Sequence, residues 1–78
     1  MDFEHALTLV KAGARAARKG WNGKGQYIEL AKDISYRRPD GTVVHPKTGA
    51  IAFVGTSGVQ LGWLASQTDL LADDWYAV

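Results

Sequence analysis

The beginning of the chain carries a hydrophobic pattern that predicts a helix over residues 3–12. Apolar side chains recur with the i, i+3, i+4, i+7 spacing that gathers them on one helical face, and they are Phe3, Ala6, Leu7 and Val10. Asp2 is suited to cap the first turn, and Gly13 is suited to end the helix in a left-handed conformation. A helix of about three turns is too short to be stable alone, so we expect its apolar face to pack on a sheet.

Alternating apolar and polar positions predict short strands in most of the remaining chain. The predicted strands span residues 14–18, 26–30, 36–38, 42–44, 50–54, 59–63 and 75–78. Segment 14–18 is the least regular of them, because its Ala-Arg-Ala-Ala-Arg sequence has helical propensity. Pro39-Asp40-Gly41 and Gly55-Thr56-Ser57-Gly58 have the composition of turns, and each joins two predicted strands into a hairpin.

The segment between Trp63 and Trp75 places a polar cluster between two indoles. Ser66-x-x-Asp69 has the form of a capping box and predicts a short helical turn after it. Taken singly, each indole is better suited to the core or to a subunit interface than to a ligand, and the two leucines after Asp69 are expected to join them there. The predicted architecture is therefore α+β: one N-terminal helix packed on a mostly antiparallel β-sheet, with a short helical turn near the C-terminus.

A length of 78 residues predicts a single domain spanning residues 1–78. A domain this short buries only about 60% of the surface that its unfolded chain exposes, so its core is marginal. The chain has no cysteine, which excludes disulfides and thiolate metal sites. Its histidines, His5 and His45, lack the spacing of a structural zinc site, so we expect no metal and no cofactor. Small folds without such aids commonly assemble, which predicts a homo-oligomer.

The charge is nearly balanced, with nine basic and eight acidic residues and a net charge of +1. That balance argues against a duplex DNA binder, whose affinity depends on a concentrated basic surface, but it leaves room for a small anionic ligand. No apolar run approaches the roughly 20 residues that a membrane span needs, and the acidic start at residues 1–4 is unlike a signal peptide. We expect a soluble, cytoplasmic protein that binds neither duplex nucleic acid nor membrane.

No set of residues assembles a nucleophile, a base and an orienting group. Asp69, Asp73 and Asp74 could supply a general acid–base pair, which requires burial or close pairing of carboxylates. We favour Asp69 as a helix cap and the other two as surface residues. His5 lies beside the apolar stripe of the helix and is expected to be partly buried. The sequence thus favours a binding protein over an enzyme.

The glycine-rich loop Gly20-Trp21-Asn22-Gly23-Lys24-Gly25 has two interpretations. Asn-Gly is a strong hairpin-turn dipeptide, so the glycines could serve only the turn. The same turn could present backbone N–H groups to an anion, with Lys24, Lys19 or Arg18 as counter-charge and the Trp21 ring as a stacking surface for a purine. The loop lacks the G-x-G-x-x-G and P-loop patterns.

The polar tail offers a second set of ligand candidates. Trp63 precedes the tail directly, and Thr68 and Asp69 lie within it. A ribose needs paired donors and acceptors. Asp69 is suited to accept a hydrogen bond from a ribose hydroxyl, whereas a carboxylate facing a phosphate is unfavourable.

Three blocks of the chain carry a resemblance to a known family. They are Phe3-x-x-Ala6-Leu7-x-x-x-Lys11-x-Gly13, Arg18-x-Gly20-Trp21-Asn22-Gly23-Lys24-Gly25 and Trp63-Leu64-Ala65-Ser66-Gln67-Thr68-Asp69-Leu70-Leu71-Ala72-Asp73-Asp74-Trp75. In this order they resemble the small phage and prophage domain of the second Thoeris anti-defense family. The resemblance covers the first 30 and the last 16 residues. Residues 31–62 are not matched and look shorter than in many relatives.

The resemblance implies a non-enzymatic sponge. Members of that family are homotetramers that hold a cyclic nucleotide immune signal, chiefly glycocyclic ADP-ribose made by TIR-domain proteins, and so prevent activation of the Thoeris effector. Some also bind cyclic dinucleotides of the CBASS pathway at separate sites. Carried over by position, the expected contacts to the signal are Trp21, Asn22, Trp63, Thr68 and Asp69, with Arg18 and Lys24 as contacts to its phosphates.

Overall fold

The computed structural model describes all 78 residues. Helix α1 spans Phe3–Lys11. Its N-cap is Asp2, whose carboxylate accepts a hydrogen bond from the His5 backbone N–H at 3.0 Å. After Ala12 the chain turns at Gly13, whose φ of 95° is accessible at little cost only to glycine. The predicted helix and its end signal are both confirmed.

Seven strands follow the helix and are joined in antiparallel pairs. They are β1 (Ala16–Arg18), β2 (Tyr27–Ala31), β3 (Tyr36–Arg37), β4 (Val43–Val44), β5 (Ala50–Gly55), β6 (Gly58–Leu61) and β7 (Trp75–Ala77). Five of them form one sheet in the order β6-β5-β2-β1-β7. A second helix, α2, spans Gln67–Leu71 between β6 and β7. The predicted α+β class is confirmed, with strand boundaries that lie within two residues of those predicted.

The two faces of the five-stranded sheet differ in what covers them. Ala16 lies opposite Ile28, and Arg18 lies opposite Trp75, so these four side chains share one face. Helix α1 covers that face and contributes Ala6 and Val10 to the same buried cluster. On the other face no helix packs, and Val59, Leu61 and Tyr76 remain exposed.

Strands β3 and β4 form a separate two-stranded sheet that we call the arm, comprising residues 36–44. Its turn forms as predicted: Gly41 adopts a φ of 93°, and its N–H donates to the Arg38 carbonyl at 2.9 Å. The molecule is elongated, with principal extents of 43 × 25 × 21 Å. No helix of the chain is long and apolar enough to cross a membrane.

One local prediction is wrong. His5, expected to be partly buried, is exposed, and its ring bonds the Asp2 carboxylate at 2.8 Å. Leu70 and Leu71 are exposed to 47% and 84%, so they do not join the core of the single chain, and their place at a subunit interface stays a prediction. Of the two interpretations of the glycine-rich loop, the Asn22-Gly23 hairpin turn does not form, since neither residue has a positive φ and β1 and β2 are separated by the longer loop 19–26.

Candidate functional site

Three indoles from different segments converge at one end of the core. Trp75 opens β7 and is 2% exposed, whereas Trp21 and Trp63 come from loops and are half-buried. The Trp21 and Trp75 rings meet edge to face at 5.3 Å and 78°, and the Trp63 and Trp75 rings at 6.1 Å and 84°. Edge-to-face packing fixes the tilt of each ring. Trp21 and Trp63 are therefore held in place before any ligand arrives.

Asp69 connects the tail to this cluster. Its Oδ1 accepts hydrogen bonds from Trp21 Nε1 at 3.1 Å and from Arg18 Nη1 at 2.9 Å. Its Oδ2 accepts from the Ser66 N–H at 3.2 Å, and its own N–H donates to Ser66 Oγ at 3.1 Å, which completes the predicted capping box. Its carbonyl accepts from Trp75 Nε1 at 2.9 Å. One residue thus caps α2 and orients two indoles.

Arg18 is held by two carboxylates. Its Nε donates to Asp74 Oδ1 at 2.8 Å while its Nη1 is engaged by Asp69. Asp74 Oδ2 also accepts from the Gly20 N–H at 2.8 Å. A Cβ at position 20 would lie 2.9 Å from that same oxygen, so the close approach requires glycine. Asp74, expected on the surface, is instead a half-buried partner of Arg18.

The hydrogen bonds of this network favour the charged forms of both carboxylates. Burial by itself would raise the pKa of Asp69, but the bonds from Arg18, Trp21 and Ser66 outweigh it and lower the pKa. The bond from Arg18 is the main cause that lowers the pKa of Asp74. Both carboxyl groups therefore stay deprotonated near neutral pH.

A cleft of about 330 Å³ opens beside the indoles. We call it the tryptophan cleft. Its lining residues are Trp21, Asn22, Gly23, Gln26, Phe53, Trp63 and Asp69. Among them, the Phe53 ring stands edge-on to Trp21, with the ring centres 5.4 Å apart. An aromatic cavity with a few polar groups is the usual composition of a small-molecule site.

The whole chain matches the sequence model of one protein family. The Thoeris anti-defense 2-like domain matches residues 1–78. The chain belongs to this family. It is also 35% identical over 82 aligned positions to the protein named Thoeris anti-defense 2 from Bacillus phage SP01, a match that covers 96% of this chain and 91% of that protein.

Membership of the Thoeris anti-defense 2-like family confirms the resemblance that the three sequence blocks carry. It also extends that resemblance across residues 31–62, which the blocks leave unmatched. The membership supports an anti-defense role of the kind that the phage relative's name states.

The structure brings four of the seven predicted contacts of this Thoeris anti-defense 2-like chain into one cleft: Trp21, Asn22, Trp63 and Asp69. Arg18 lies behind Asp69, with its guanidinium already paired. Lys24 and Thr68 are exposed and do not line the cleft.

Sequence reasoning missed Gln26 and Phe53 as lining residues. Gln26 directly precedes β2, and Phe53 lies within β5. These two strands are far apart in the sequence but are paired in the sheet, with Ile28 opposite Phe53. The alternation of β5 places Phe53 on the covered face together with Ile51. The alternation of apolar residues was the only sequence signal for Phe53. It predicts that the side chain lies on the covered face of the sheet, but it does not show whether the side chain belongs to the core or lines a cleft.

Proposed function

We propose that this protein is a phage anti-defense sponge that binds and sequesters a cyclic nucleotide immune signal, glycocyclic ADP-ribose made by TIR-domain proteins, without degrading it. The observation that carries the proposal is the tryptophan cleft, in which two indoles are pre-positioned beside amide and carboxylate groups. Family membership supports the same role. By holding the signal, the protein keeps the Thoeris effector inactive in the cytoplasm of the host cell.

The cleft favours a nucleotide for chemical reasons. The half-buried rings of Trp21 and Trp63 offer surface to a base, and stacking of a base on an aromatic ring is worth roughly 1–3 kcal/mol. The Asn22 amide is exposed beside them and has both donors and an acceptor. Asp69 retains free lone pairs after its three internal bonds, so it accepts from a ribose hydroxyl.

The cleft of a single chain is small for a protein that must bind its ligand with high affinity. Binding in the nanomolar range corresponds to about −12 kcal/mol, and ligand sites that bury most of a ligand span about 300–1,000 Å³. The tryptophan cleft, at about 330 Å³, is near the lower limit. We therefore propose that a homotetramer completes it at a subunit interface, where Lys24 and Thr68, which do not line the cleft of a single chain, gain access to the ligand.

The position of the carboxylates supports sequestration over hydrolysis. Asp69 and Asp74 are both committed to Arg18, and Asp73 is exposed. A hydrolase acting through Asp69 and Asp73 would need a carboxyl able to give or take a proton, and the lowered pKa of Asp69 opposes that. Incubation with glycocyclic ADP-ribose, followed by denaturation and mass spectrometry, separates the two. We expect the ligand to return unchanged, whereas a linear or cleaved product would refute the sponge.

Trp21→Ala tests the site. We expect this change to weaken binding of glycocyclic ADP-ribose by roughly tenfold to a hundredfold, because it removes about 1–3 kcal/mol of stacking. Isothermal titration calorimetry measures the affinity. Tyr36→Ala removes an exposed aromatic ring from the arm and serves as the control with unchanged affinity.

Asn22→Ala is a second test of the site, needed because Trp21→Ala would also lose binding if it unfolded the protein. Asn22 is exposed and makes no hydrogen bond within the chain, so we expect weaker binding with unchanged stability. If both variants bound as tightly as the natural protein, the tryptophan cleft would not be the site. A second candidate function is a phage accessory domain that binds protein through its tryptophans. It would be favoured if the natural protein gave no heat with any cyclic nucleotide but captured a protein partner.

A further inference from the structure

A second cleft lies at the tip of the β5–β6 hairpin. We call it the hairpin cleft; its volume is about 310 Å³. Its wall is made of the hydroxyl and amide side chains of Thr56, Ser57 and Gln60 together with the glycine backbone at positions 55 and 58. No charged side chain lines it. Its chemistry therefore differs from that of the tryptophan cleft, which contains the Asp69 carboxylate.

The two clefts meet at Gln26 and Phe53, which line both. The Gln26 amide occupies the space beside Gly23 that a Cβ at position 23 would need. Gly23 thus lets Gln26 fold over the loop at the junction. The two clefts adjoin at Gln26 and Phe53, and we call them together the groove.

The polar groups of the groove have no partners within the chain. The side-chain hydrogen bonds include none from Gln26, Thr56, Ser57 or Gln60. In contrast, the polar atoms of Asp69 on the other side are heavily used. The hairpin cleft is thus the richer source of free donors.

The two clefts differ in charge, and this difference suits them to different parts of a nucleotide. A phosphate near Asp69 meets a carboxylate of like charge, whereas the hairpin cleft offers hydroxyl and amide donors without an opposing charge. The two indole walls lie only in the tryptophan cleft, whereas the Phe53 ring lines both clefts. Size agrees with this division, because each cleft alone is near the lower limit of about 300 Å³ for a ligand site.

We propose that the hairpin cleft is the phosphate subsite of the same groove, and that Gln26 bridges it to the tryptophan cleft, where the base and the ribose beside Asp69 bind. This proposal rests on the proposed function. The Thr56 and Ser57 hydroxyls donate to phosphate oxygens, and the Gln26 amide donates to the linking oxygens between the two halves of the ligand.

Nuclear magnetic resonance of the ¹⁵N-labelled protein tests the groove. On titration with glycocyclic ADP-ribose we expect shifts of the Trp21 and Trp63 indole N–H signals and also of the Thr56 and Ser57 amide signals. Adenosine, which lacks phosphate, is expected to shift the indole signals alone. If glycocyclic ADP-ribose moved only the indole signals, the hairpin subsite would be refuted while the sponge would stand. If it moved neither set, the sponge would be refuted and the subsite with it.

Two variants provide an independent measurement. Thr56→Val keeps the side-chain shape and removes one hydroxyl, and Gln26→Ala removes the bridging amide. We expect each to weaken binding of glycocyclic ADP-ribose by about tenfold, the loss typical of one hydrogen bond to a charged group, while adenosine binding is unchanged for Thr56→Val. Thr8→Val, on α1 and outside both clefts, is the matched control. Affinities equal to that of the natural protein in both variants would overturn the subsite.

Discussion

Asp69 is the residue on which several parts of the molecule depend at once. Its side chain completes the capping box of α2 by accepting from the Ser66 N–H, accepts from the Trp21 indole and pairs with Arg18. All three contacts come from a carboxylate whose side chain is only 14% exposed. Its two sequence-based roles, cap and ligand contact, are therefore not alternatives, because the bonds that cap the helix also hold the wall of the cleft in place.

Replacement of Asp69 tests this dependence. We expect Asp69→Ala to lower the free energy of unfolding by about 2 kcal/mol, since it removes a helix cap and leaves Arg18 and Trp21 Nε1 short of an acceptor. Urea denaturation measures the change. Asp73→Ala is the matched control: Asp73 is an exposed neighbour whose side chain makes no bond, so its effect should stay within about 0.5 kcal/mol. Equal effects of the two changes would contradict the assigned role.

The same carboxylates predict how stability varies with pH. The pKa of Asp69 and that of Asp74 are both lowered in the folded protein, so between the folded and unfolded values the unfolded chain binds more protons. The stabilisation is fully present above the unfolded value of about 3.9 and is lost as the pH falls through the folded values. We expect unfolding free energy to be flat from neutral pH to about 5 and to fall steeply below about 4.

Urea titrations at a series of pH values measure this profile. Asp74→Asn keeps the size of the side chain but removes its titration, so its profile should fall less steeply in acid than that of the natural protein. A variant profile as steep as the natural one would show that the acid sensitivity arises elsewhere.

At the scale of elements, the arm differs from the rest of the fold. Strands β3 and β4 pair only with each other, through Tyr36–Val44 and Arg37–Val43. An isolated two-stranded hairpin is marginally stable in water, whereas β2 and β5 pair along five consecutive positions at the centre of the sheet.

Hydrogen exchange followed by mass spectrometry should reveal this contrast. We expect the amides of residues 36–44 to exchange first and those of β2 and β5 last, because exchange follows the free energy of local opening. Slow exchange in the arm would contradict its isolation and would indicate that an assembled partner covers it.

The elements themselves were largely predictable, because their signals are local. Asp2 and Gly13 lie within a few residues of the helix that they delimit, and Ser66 and Asp69 form the capping box within one turn. The same is true of the Pro39-Asp40-Gly41 turn. Each of these motifs satisfies backbone groups of its immediate neighbours, so a short window of sequence contains the whole interaction.

The network behind the cleft was not predictable in this way. Arg18 and Asp74 are 56 positions apart, and they meet because β1 and β7 pair with Arg18 opposite Trp75. Nothing near Arg18 in the sequence specifies that register. Four of the seven expected contacts were nevertheless placed in the cleft, since the motifs that carry the family resemblance include them.

At the scale of the whole molecule, the buried core is small for the chain. Only seven of 78 residues are buried, and one face of the five-stranded sheet has no helix on it. Val59, Leu61 and Tyr76 lie exposed there. A core this small is commonly supplemented by association with other copies of the chain, which is why we predict a homo-oligomer.

Size-exclusion chromatography with light scattering tests the assembly. We expect a mass four times that of the 8.5 kDa chain, since we propose that a homotetramer completes the tryptophan cleft. A monomer that still binds glycocyclic ADP-ribose with nanomolar affinity would contradict the idea that the site lies between subunits.

The convergence of the indoles has an optical consequence. All three tryptophans of the chain stand in one cluster, with ring centres between 5.3 and 6.4 Å apart. Transition dipoles this close couple, so the cluster should contribute an exciton couplet to the circular dichroism spectrum, and no distant indole adds background fluorescence. The protein therefore carries its own unlabelled optical probe, positioned where the ligand is proposed to bind.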